Sequence, residues 1–323
     1  MKKILTLVIT VIMILSALFV GGCGGAKEKS AKTGETAGTA KTVRIGMVPL
    51  PFYSHMWVAY KKGFLSEELN KAGCQLAWKP INLGPVVSES FAAGEIDMGV
   101  MGDLPAFVGR SSGIKYTIVS VSDMAKSQAL LANPKSGIQS VADLKGKKVA
   151  TTKNTSGHEL LVALLEREGM TLNDIQFINM SAADLSQALI KGDIDAAVIW
   201  EPSVTRLEDS GMKLIMDGDF CPNYNVLLAG DEFLRNNPAA AAAVQKAFNR
   251  GNDYMQQNMD ECLKMLTAEF KIPEPQLKKM ISKYRPMPID EKVLTDLKGQ
   301  EVFLSKNGIT KNPVDIKLFV RQN

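Results

Sequence analysis

The chain has 323 residues, of which 46% are apolar and 22% are charged, and its formal net charge is +4. This composition is that of an ordinary globular protein and excludes a wholly disordered or fibrous chain. The small net charge argues against nucleic-acid binding, which usually needs a strongly basic face. Because the sequence holds only two histidines, a metal centre built from several histidines is also excluded.

The first 22 residues have the pattern of a secretory signal peptide. Lys2 and Lys3 precede an apolar stretch over 4–20, and two glycines lie directly before Cys23. The apolar stretch is marginal for crossing about 30 Å of hydrocarbon, which favours a cleaved signal over a permanent membrane helix. The small residues before Cys23 resemble a bacterial lipobox, in which the cysteine thiol receives diacylglycerol. We predict a signal peptide over 1–22 and a lipid anchor at Cys23, on the extracytoplasmic face of the cell membrane.

Residues 24–41 contain only Gly, Ala, Lys, Glu, Ser and Thr. Such a segment cannot bury enough apolar surface to fold, so 23–41 is predicted to be a flexible tether. The folded part is then expected over 42–323. Its three cysteines are an odd number and do not form a complete disulfide framework, and we expect small buried thiols.

The folded part alternates strands with helices, which is typical of an α/β protein with mostly parallel sheets. Strands are predicted at 43–48, 76–81, 96–101, 148–152, 175–179 and 194–200, with helices between them. A helix, a glycine, an acid-Ile-Asp triplet and a strand follow one another both at 92–100 and at 189–198. The repeated order indicates two similar α/β lobes.

The lobes are predicted to be joined by two hinge strands, near 127–131 and 224–228, where the pattern becomes extended. Lobe one would then be discontinuous, with residues 42–128 and 226–323, and lobe two would take 129–225. From Pro238 the pattern is almost all helical, and we expect this tail to pack on lobe one because it cannot extend a parallel sheet.

The motifs of several enzyme classes are absent from the sequence. It contains no phosphate loop, no dinucleotide-binding glycine pattern and no nucleophile elbow, and His158-Glu159 lacks the second histidine of a zinc protease. A cysteine–histidine pair stays open on sequence alone. We predict no catalytic residue, no metal and no cofactor.

Helix starts at strand ends are the expected binding elements, because ligands of open α/β sheets bind beyond the carboxyl ends of the strands. The first amides of a helix lack internal partners and carry a partial positive charge. Three turns qualify, at 84–86, 102–104 and 154–158. The third offers the Thr155 and Ser156 hydroxyls, close backbone approach at Gly157 and the ring of His158, which together would hold the oxygens of a small anion.

The same stretch has a second interpretation that needs no ligand. Ser156 and Glu159 have the spacing of a capping box, in which the two side chains satisfy the first amides of the helix. Both interpretations hold together if Glu159 bends back to the amide of the cap and leaves the other donors free.

Further candidate residues lie beside these turns. Phe52 and Tyr53 follow the first strand and would form walls, as would Trp200 at the end of the last strand of lobe two. Each of these residues also has an interpretation without a ligand: Trp200 as a core residue, Asp103 as an N-cap and Glu201 as a solvated acid. If Asp103 or Glu201 lies in the cleft, its carboxylate would suit an ammonium or hydroxyl group of the ligand. Gly84 begins the first of the three turns.

Five blocks in the same order resemble the substrate-binding proteins of ABC importers in the nitrate/sulfonate/taurine group. They are Pro85 with Glu89–Asp97, Gly102–Ala106, Val141–Ala150, Thr155–His158 and Ile199–Pro202. The resemblance implies a periplasmic-binding-protein type II fold that captures its ligand between two hinged lobes. It also implies ligand contacts at Asp103, Thr155, Ser156, His158 and Trp200. The chain departs from the family at Asn154, where glycine is frequent, and at Glu159, where an aromatic residue is frequent.

These observations predict an extracytoplasmic solute-binding protein that delivers a small organic anion, a sulfonate such as taurine or an alkanesulfonate, to a permease and its ATPase. A monomer is expected, without nucleic acid. The alternatives are a binding protein for a thiamine-pyrimidine precursor, for nitrate or for an aromatic carboxylate. An enzyme similar to the thiamine-pyrimidine synthases and an extracellular sensor are further alternatives.

Overall fold

The computed structural model describes residues 41–123, 125–283 and 285–321. The predicted signal peptide, Cys23 and all but the last residue of the tether lie outside these residues. Within them, no helix combines the length and the apolar character that a membrane crossing requires.

A six-stranded sheet forms the centre of the first lobe. Its elements before the first crossing are β1 (Lys41–Met47), α1 (Ser54–Lys61), α2 (Phe64–Lys71), β2 (Cys74–Pro80), α3 (Gly84–Ala92), β3 (Met98–Gly102), α4 (Asp103–Ser111) and β4 (Tyr116–Asp123). The strand order is β11-β4-β10-β3-β1-β2. The predicted strands at 43–48, 76–81 and 96–101 correspond to β1, β2 and β3 within two residues at each end.

A five-stranded sheet forms the centre of the second lobe, in the order β7-β6-β8-β5-β9. Its elements are β5 (Gln128–Ala132), β6 (Lys148–Thr151), α5 (Ser156–Arg167), β7 (Gln176–Asn179), α6 (Ala182–Lys191), β8 (Ala196–Trp200), α7 (Ser203–Asp209) and β9 (Lys213–Asp217). Apolar residues on both faces of this sheet form two buried clusters that are separate from the core of the first lobe.

The chain then returns to the first sheet and continues into the C-terminal tail. The elements are β10 (Tyr224–Gly230), α8 (Asp231–Asn236), α9 (Pro238–Gln257), α10 (Met259–Phe270), α11 (Glu274–Ile281), β11 (Arg285–Met287), α12 (Glu291–Lys306) and α13 (Ile316–Phe319). The chain passes between the sheets at 125–127 and again at 218–223. The strands that were predicted near 127–131 and 224–228 correspond to β5 and β10, the first strands after each crossing.

The α/β architecture with two sheets is confirmed, but the strand pairing is mixed rather than mostly parallel. Among the described strands, four pairs are parallel and five are antiparallel. The antiparallel pairs all involve β5 or β10, the strands that enter a sheet after a crossing, or the tail strand β11. Parallel βαβ units are present in β1–β3 and in β6–β8. These units position the starts of the helices.

The tail differs from the predicted helical layer on lobe one in two respects. Its strand β11 pairs with β4 and so extends the first sheet, which is possible because the pairing is antiparallel. Its helices contribute Leu277, Leu297 and other residues to the core of the first lobe, but they also reach the second lobe. Gln276 donates a hydrogen bond to Asp209 at 2.6 Å.

The three remaining cysteines, Cys74, Cys221 and Cys262, are free and buried, which confirms the predicted thiols. Within the described residues, no group of three or more His, Cys, Asp or Glu side chains could hold a metal ion.

Close packing of α9 on α1 generates a prediction for stability. A Cβ added at Gly251 would lie 2.2 Å from the carbonyl oxygen of His55 and 2.9 Å from the Cβ of Ala59. We expect Gly251→Ala to lower the free energy of unfolding by about 1–3 kcal/mol, because the two helices must separate. Gly299→Ala, in the middle of α12, is the matched control, since its Cβ would meet no atom within 4 Å. Thermal unfolding followed by circular dichroism should show a lower Tm for the first variant and an equal or higher Tm for the control; equal losses in both would contradict the packing argument.

Candidate functional site

A cavity of about 140 Å³ lies between the two lobes. The first lobe contributes the loops after β1, β2 and β3, and the second contributes the loops after β6, β7 and β8. In each lobe these three strands run parallel, so their carboxyl ends meet at one edge of the sheet. The two edges face each other, and we call the space between them the cleft.

Six of the ten candidate binding residues line the cleft. They are Phe52, Tyr53, Gly84, Thr155, Ser156 and Trp200. Five of them follow the end of a parallel strand and Trp200 is the last residue of β8, which is why the pattern of strand ends located them. Their contact with a ligand remains a prediction.

Four helices begin at the cleft. Gly84 is the first residue of α3, Ser156 of α5 and Ala182 of α6, and Gly102 lies directly before α4. Each of these helices has nine residues or more, and each presents the positive end of its dipole. Among the described residues that line the cleft there is no Lys, Arg, His, Asp or Glu.

The start of α5 is open rather than closed by a capping box. Thr155 is the N-cap, and neither its side chain nor that of Glu159 caps the helix. The Thr155 hydroxyl donates to the carbonyl of Thr152 at 2.6 Å. The amides of Ser156 and Gly157 donate to no acceptor in the described part of the chain. The structure therefore does not contain the predicted capping box. The Glu159 side chain instead accepts a hydrogen bond from Gln300.

Gly157 lies beneath the cleft and not on its surface. A Cβ at this position would lie 2.7 Å from the Thr151 hydroxyl oxygen and 3.2 Å from the carbonyl oxygen of Val198. The glycine thus allows α5 to pack closely on β6 and β8. The Cα of Gly157 thus faces the sheet, and a ligand contact through its backbone amide remains a prediction.

His158 also lies outside the cleft, contrary to expectation. It is the third residue of α5, so its side chain points away from that of Ser156 and stacks on Phe177 at a centroid distance of 5.8 Å. Neither ring nitrogen has a hydrogen-bond partner in the described part of the chain. Burial, and then the charge of Lys153, lower the pKa of His158 to about 4, so the ring is neutral at physiological pH.

The two acids that could have served a ligand ammonium are buried elsewhere. Asp103 accepts hydrogen bonds from the amides of Leu104 at 2.7 Å and Tyr224 at 2.8 Å. It therefore holds the start of α4 against β10 instead of facing the cleft.

Glu201 is likewise engaged with the protein. Its carboxylate accepts hydrogen bonds from the amide and the hydroxyl of Thr205, both at 3.0 Å, and forms an ion pair with Lys283 of the tail at 2.5 Å. It fixes the start of α7, so the turn after Trp200 brings only the tryptophan to the cleft.

Six cleft residues lie outside the candidate residues and the three predicted turns: Val48, Leu50, Asn82, Leu83, Pro105 and Ala182. Asn82 follows β2, and Ala182 follows β7 after Ser181, whose hydroxyl caps α6 by accepting from the amide of Asp184. Both lie at the strand edge that located the other residues. The serine cap at 181 and the asparagine before a Gly-Pro helix start are signals that could have found them.

The chain matches the model of the NMT1/THI5-like family over residues 52–262. It is 27% identical to a putative aliphatic sulfonates-binding protein of Bacillus subtilis, over 81% of this chain and 76% of that protein. It is 26% identical to the taurine-binding periplasmic protein of Escherichia coli, over 55% of this chain and 56% of that protein.

Among solved structures, the fold is similar to that of the periplasmic aliphatic sulphonate binding protein of Escherichia coli. The superposition has a TM-score of 0.76 at 25% sequence identity and covers 87% of this chain and 92% of the other. The two-lobed architecture is thus that of known solute-binding proteins.

The burial of His158 generates a prediction for its titration. Because its pKa is lowered to about 4, the imidazole should stay neutral down to about pH 5, whereas an exposed histidine takes up a proton near pH 6.5. The unfolded chain then binds a proton that the folded chain does not, so this residue contributes a loss of stability as the pH falls from about 6.5 to about 4.

Proton–carbon NMR of the two imidazole rings measures this directly, with the His158→Gln variant to assign the resonances. A titration midpoint near 6.5 for His158 would contradict the buried placement of its ring.

Proposed function

The chain belongs to the NMT1/THI5-like family, and we propose that it is the solute-binding component of an ABC importer, which captures a small sulfonate between its two lobes. Capture rather than catalysis is the function that the cleft supports best. The open form would bind the anion on one lobe, and contacts from the other lobe would then favour closure.

One observation carries the proposal: four helix starts converge on a cleft whose described lining contains no charged side chain. Amides at helix starts are donors without internal acceptors, and together they favour an anion. The amides of Ser156 and Gly157 and the Ser156 hydroxyl are suitable donors for the three oxygens of a sulfonate.

The other walls of the cleft suit an aliphatic group. Leu50, Phe52 and Trp200 present apolar surface, and removing alkyl carbon from water against such surface is favourable. A sulfonate that carries a short alkyl chain satisfies both parts of the cleft. Nitrate would leave the apolar wall without a partner.

The alternatives that need ring recognition or catalysis have less support. A pyrimidine would use acids for its ring nitrogens, but Asp103 and Glu201 are bonded within the protein. An enzyme that uses a cysteine–histidine pair would need both side chains at the ligand, and neither His158 nor Cys221 is among the cleft residues.

We propose in addition that the protein acts outside the cytoplasm, with a permease and its ATPase as partners. Its relatives are named as binding proteins, and two of those described above are named as periplasmic. The proposed signal peptide over 1–22 and lipid attachment at Cys23 rest on the sequence pattern. A tether over 23–41 would let the lobes reach the permease from the membrane surface. We propose that the protein acts as a monomer.

The Ser156 hydroxyl supplies the first prediction for binding. We expect Ser156→Ala to weaken the binding of propane-1-sulfonate by about tenfold, because a hydrogen bond to a charged group contributes about 1.5–3 kcal/mol. Ser210→Ala is the matched control, since this exposed serine at the end of α7 donates to the carbonyl of Arg206 far from the cleft. Isothermal titration calorimetry measures both. Equal affinity in the Ser156 variant and the wild type would argue against sulfonate binding at the start of α5.

The absence of a carboxylate among the described cleft residues supplies a second prediction. Taurine and propane-1-sulfonate have nearly the same shape, but taurine carries an ammonium where the other has a methyl group. Burial of an ammonium without an acceptor costs several kcal/mol, so we expect taurine to bind at least about tenfold more weakly. Competition calorimetry compares the two, with propane-1-carboxylate (butanoate), which has the same alkyl group, as the control for the sulfonate group. Equal or tighter binding of taurine would contradict an uncharged cleft.

A further inference from the structure

Three polar side chains meet at a second contact between the lobes, away from the cleft. Asp103 comes from α4 of the first lobe and Glu159 from α5 of the second, and Gln300 comes from α12 of the tail. All three are nine-tenths or more buried. Because α12 packs into the first lobe through Leu297 and its neighbours, Glu159 is the one member of this triad that belongs to the other lobe.

Among the described residues, the hydrogen-bond partner of Glu159 is a neutral amide and not a cation. The Gln300 amide nitrogen donates to Glu159 at 2.8 Å and so joins the tail to the second lobe. Asp103, also buried, accepts from the backbone amides of Leu104 and Tyr224. Burial of a carboxyl group among neutral partners favours its protonated form over the carboxylate.

The surroundings of the triad do not neutralise two negative charges. The titratable groups that face it from the packed elements are Tyr53, Tyr224 and Cys221, which are neutral, and Asp296 of α12, which accepts a hydrogen bond from the Tyr224 hydroxyl at 2.5 Å. The nearby lysines are paired with other acids, Lys306 with Glu166 and Lys292 with Asp296. Arg167, which lines the same cavity as Glu159, lies over the Phe220 ring at 4.3 Å. His158 on α5 is neutral.

Burial therefore dominates the titration of both acids. It raises the pKa of Glu159 well above the ordinary value, and the charge of Asp103 raises it further. Burial also raises the pKa of Asp103, against the hydrogen bonds that it accepts. A cavity of about 660 Å³ borders Glu159 and Gln300, and it offers a route by which water can deliver a proton.

We propose that the lobes close with uptake of a proton by the buried acids Asp103 and Glu159, so that ligand binds more tightly as the pH falls. The proposal deepens the proposed function, since the ligand is the sulfonate that closes the lobes. When the lobes separate, Glu159 leaves Asp103 and Gln300, and both acids gain water and ionise as ordinary carboxyl groups.

The sign of the pH dependence follows from this difference between the two forms. Below the ordinary carboxyl pKa of about 4, the open and the closed form are both protonated, and the proton contributes its full stabilisation of the closed form. This stabilisation is lost as the pH rises through the higher value of the closed form. In that window, the apparent Kd for the sulfonate should increase by up to about tenfold per pH unit for one proton.

Calorimetry of propane-1-sulfonate binding at pH 6.0 tests the proposal, in succinate and in imidazole buffer. These buffers differ in ionisation enthalpy, and neither carries a sulfonate group that would compete. We expect a buffer-dependent enthalpy that corresponds to proton uptake, and a Kd that rises between pH 5.5 and pH 7.5. In the Glu159→Gln and Asp103→Asn variants, proton uptake should fall and the Kd should depend less on pH, while propane-1-sulfonate still binds. His158→Gln, on the same helix as Glu159, should keep the wild-type uptake.

Wild-type binding without proton uptake, or full uptake in Glu159→Gln, would overturn the proposal and leave the proposed function standing. Failure of every sulfonate to bind would instead overturn the proposed function. In that case, small-angle scattering of the ligand-free protein from pH 5 to pH 8 tests whether closure of the lobes depends on protonation. The measured quantity is the radius of gyration. A more compact form at low pH that Glu159→Gln abolishes supports the proposal, and a radius that does not change with pH overturns it.

Discussion

The first amides of an α-helix have no acceptor within the helix, and in a folded protein each of them must find one elsewhere. This constraint governs how the chain is arranged. In both lobes the parallel strands end at one edge, and the helices that follow begin there with their donors exposed. Where two such edges face each other, the starts of four helices share one small space. At α4 and α6 side chains accept from some of these amides, Asp103 from Leu104 and Ser181 from Asp184. The amides of Ser156 and Gly157 at α5 have no acceptor in the described part of the chain, and an anion can supply one.

The same constraint explains why the cleft needs no cationic side chain. A lysine or arginine would bring a long flexible group and a full charge that must itself be desolvated when the lobes close. Amides are fixed by the helix and cost little to order. The acids near the strand ends are correspondingly held back from the cleft, with Asp103 bonded to Tyr224 and Glu201 to Lys283. The chain thus separates its charged groups from the place where a charged guest would sit.

Much of this arrangement could be predicted from local patterns, and the rest depends on tertiary packing. The alternation of β-branched runs with capped helices located β1, β6 and β8 and the helix starts at 84 and 156, because those signals lie within a few residues of each other. The direction of β5 and β10 was not predictable in this way, since strand pairing is decided by distant partners. Nor could the sequence separate Ser156 from His158: the two differ by two residues, and a helix turns about 200° over that distance, so one side chain faces the cleft and the other meets Phe177.

Glu159 illustrates the same limit in another way. Its spacing from Ser156 is that of a capping box, yet its partner is Gln300, 141 residues later in the chain. Nothing near Glu159 in the sequence indicates that helix α12 will pass beside it. The position of Glu159 is therefore explained by what the tail brings to it and not by its own neighbours in the sequence.

The short tail strand β11 has a consequence for how the first sheet ends. It covers the free side of β4 with three residues, and the middle one, Pro286, has no amide hydrogen. A neighbouring polypeptide therefore finds neither a long row of donors and acceptors nor a regular one on which to add a strand. The end of β4 that β11 covers, Val121–Asp123, is thereby protected from edge-to-edge aggregation.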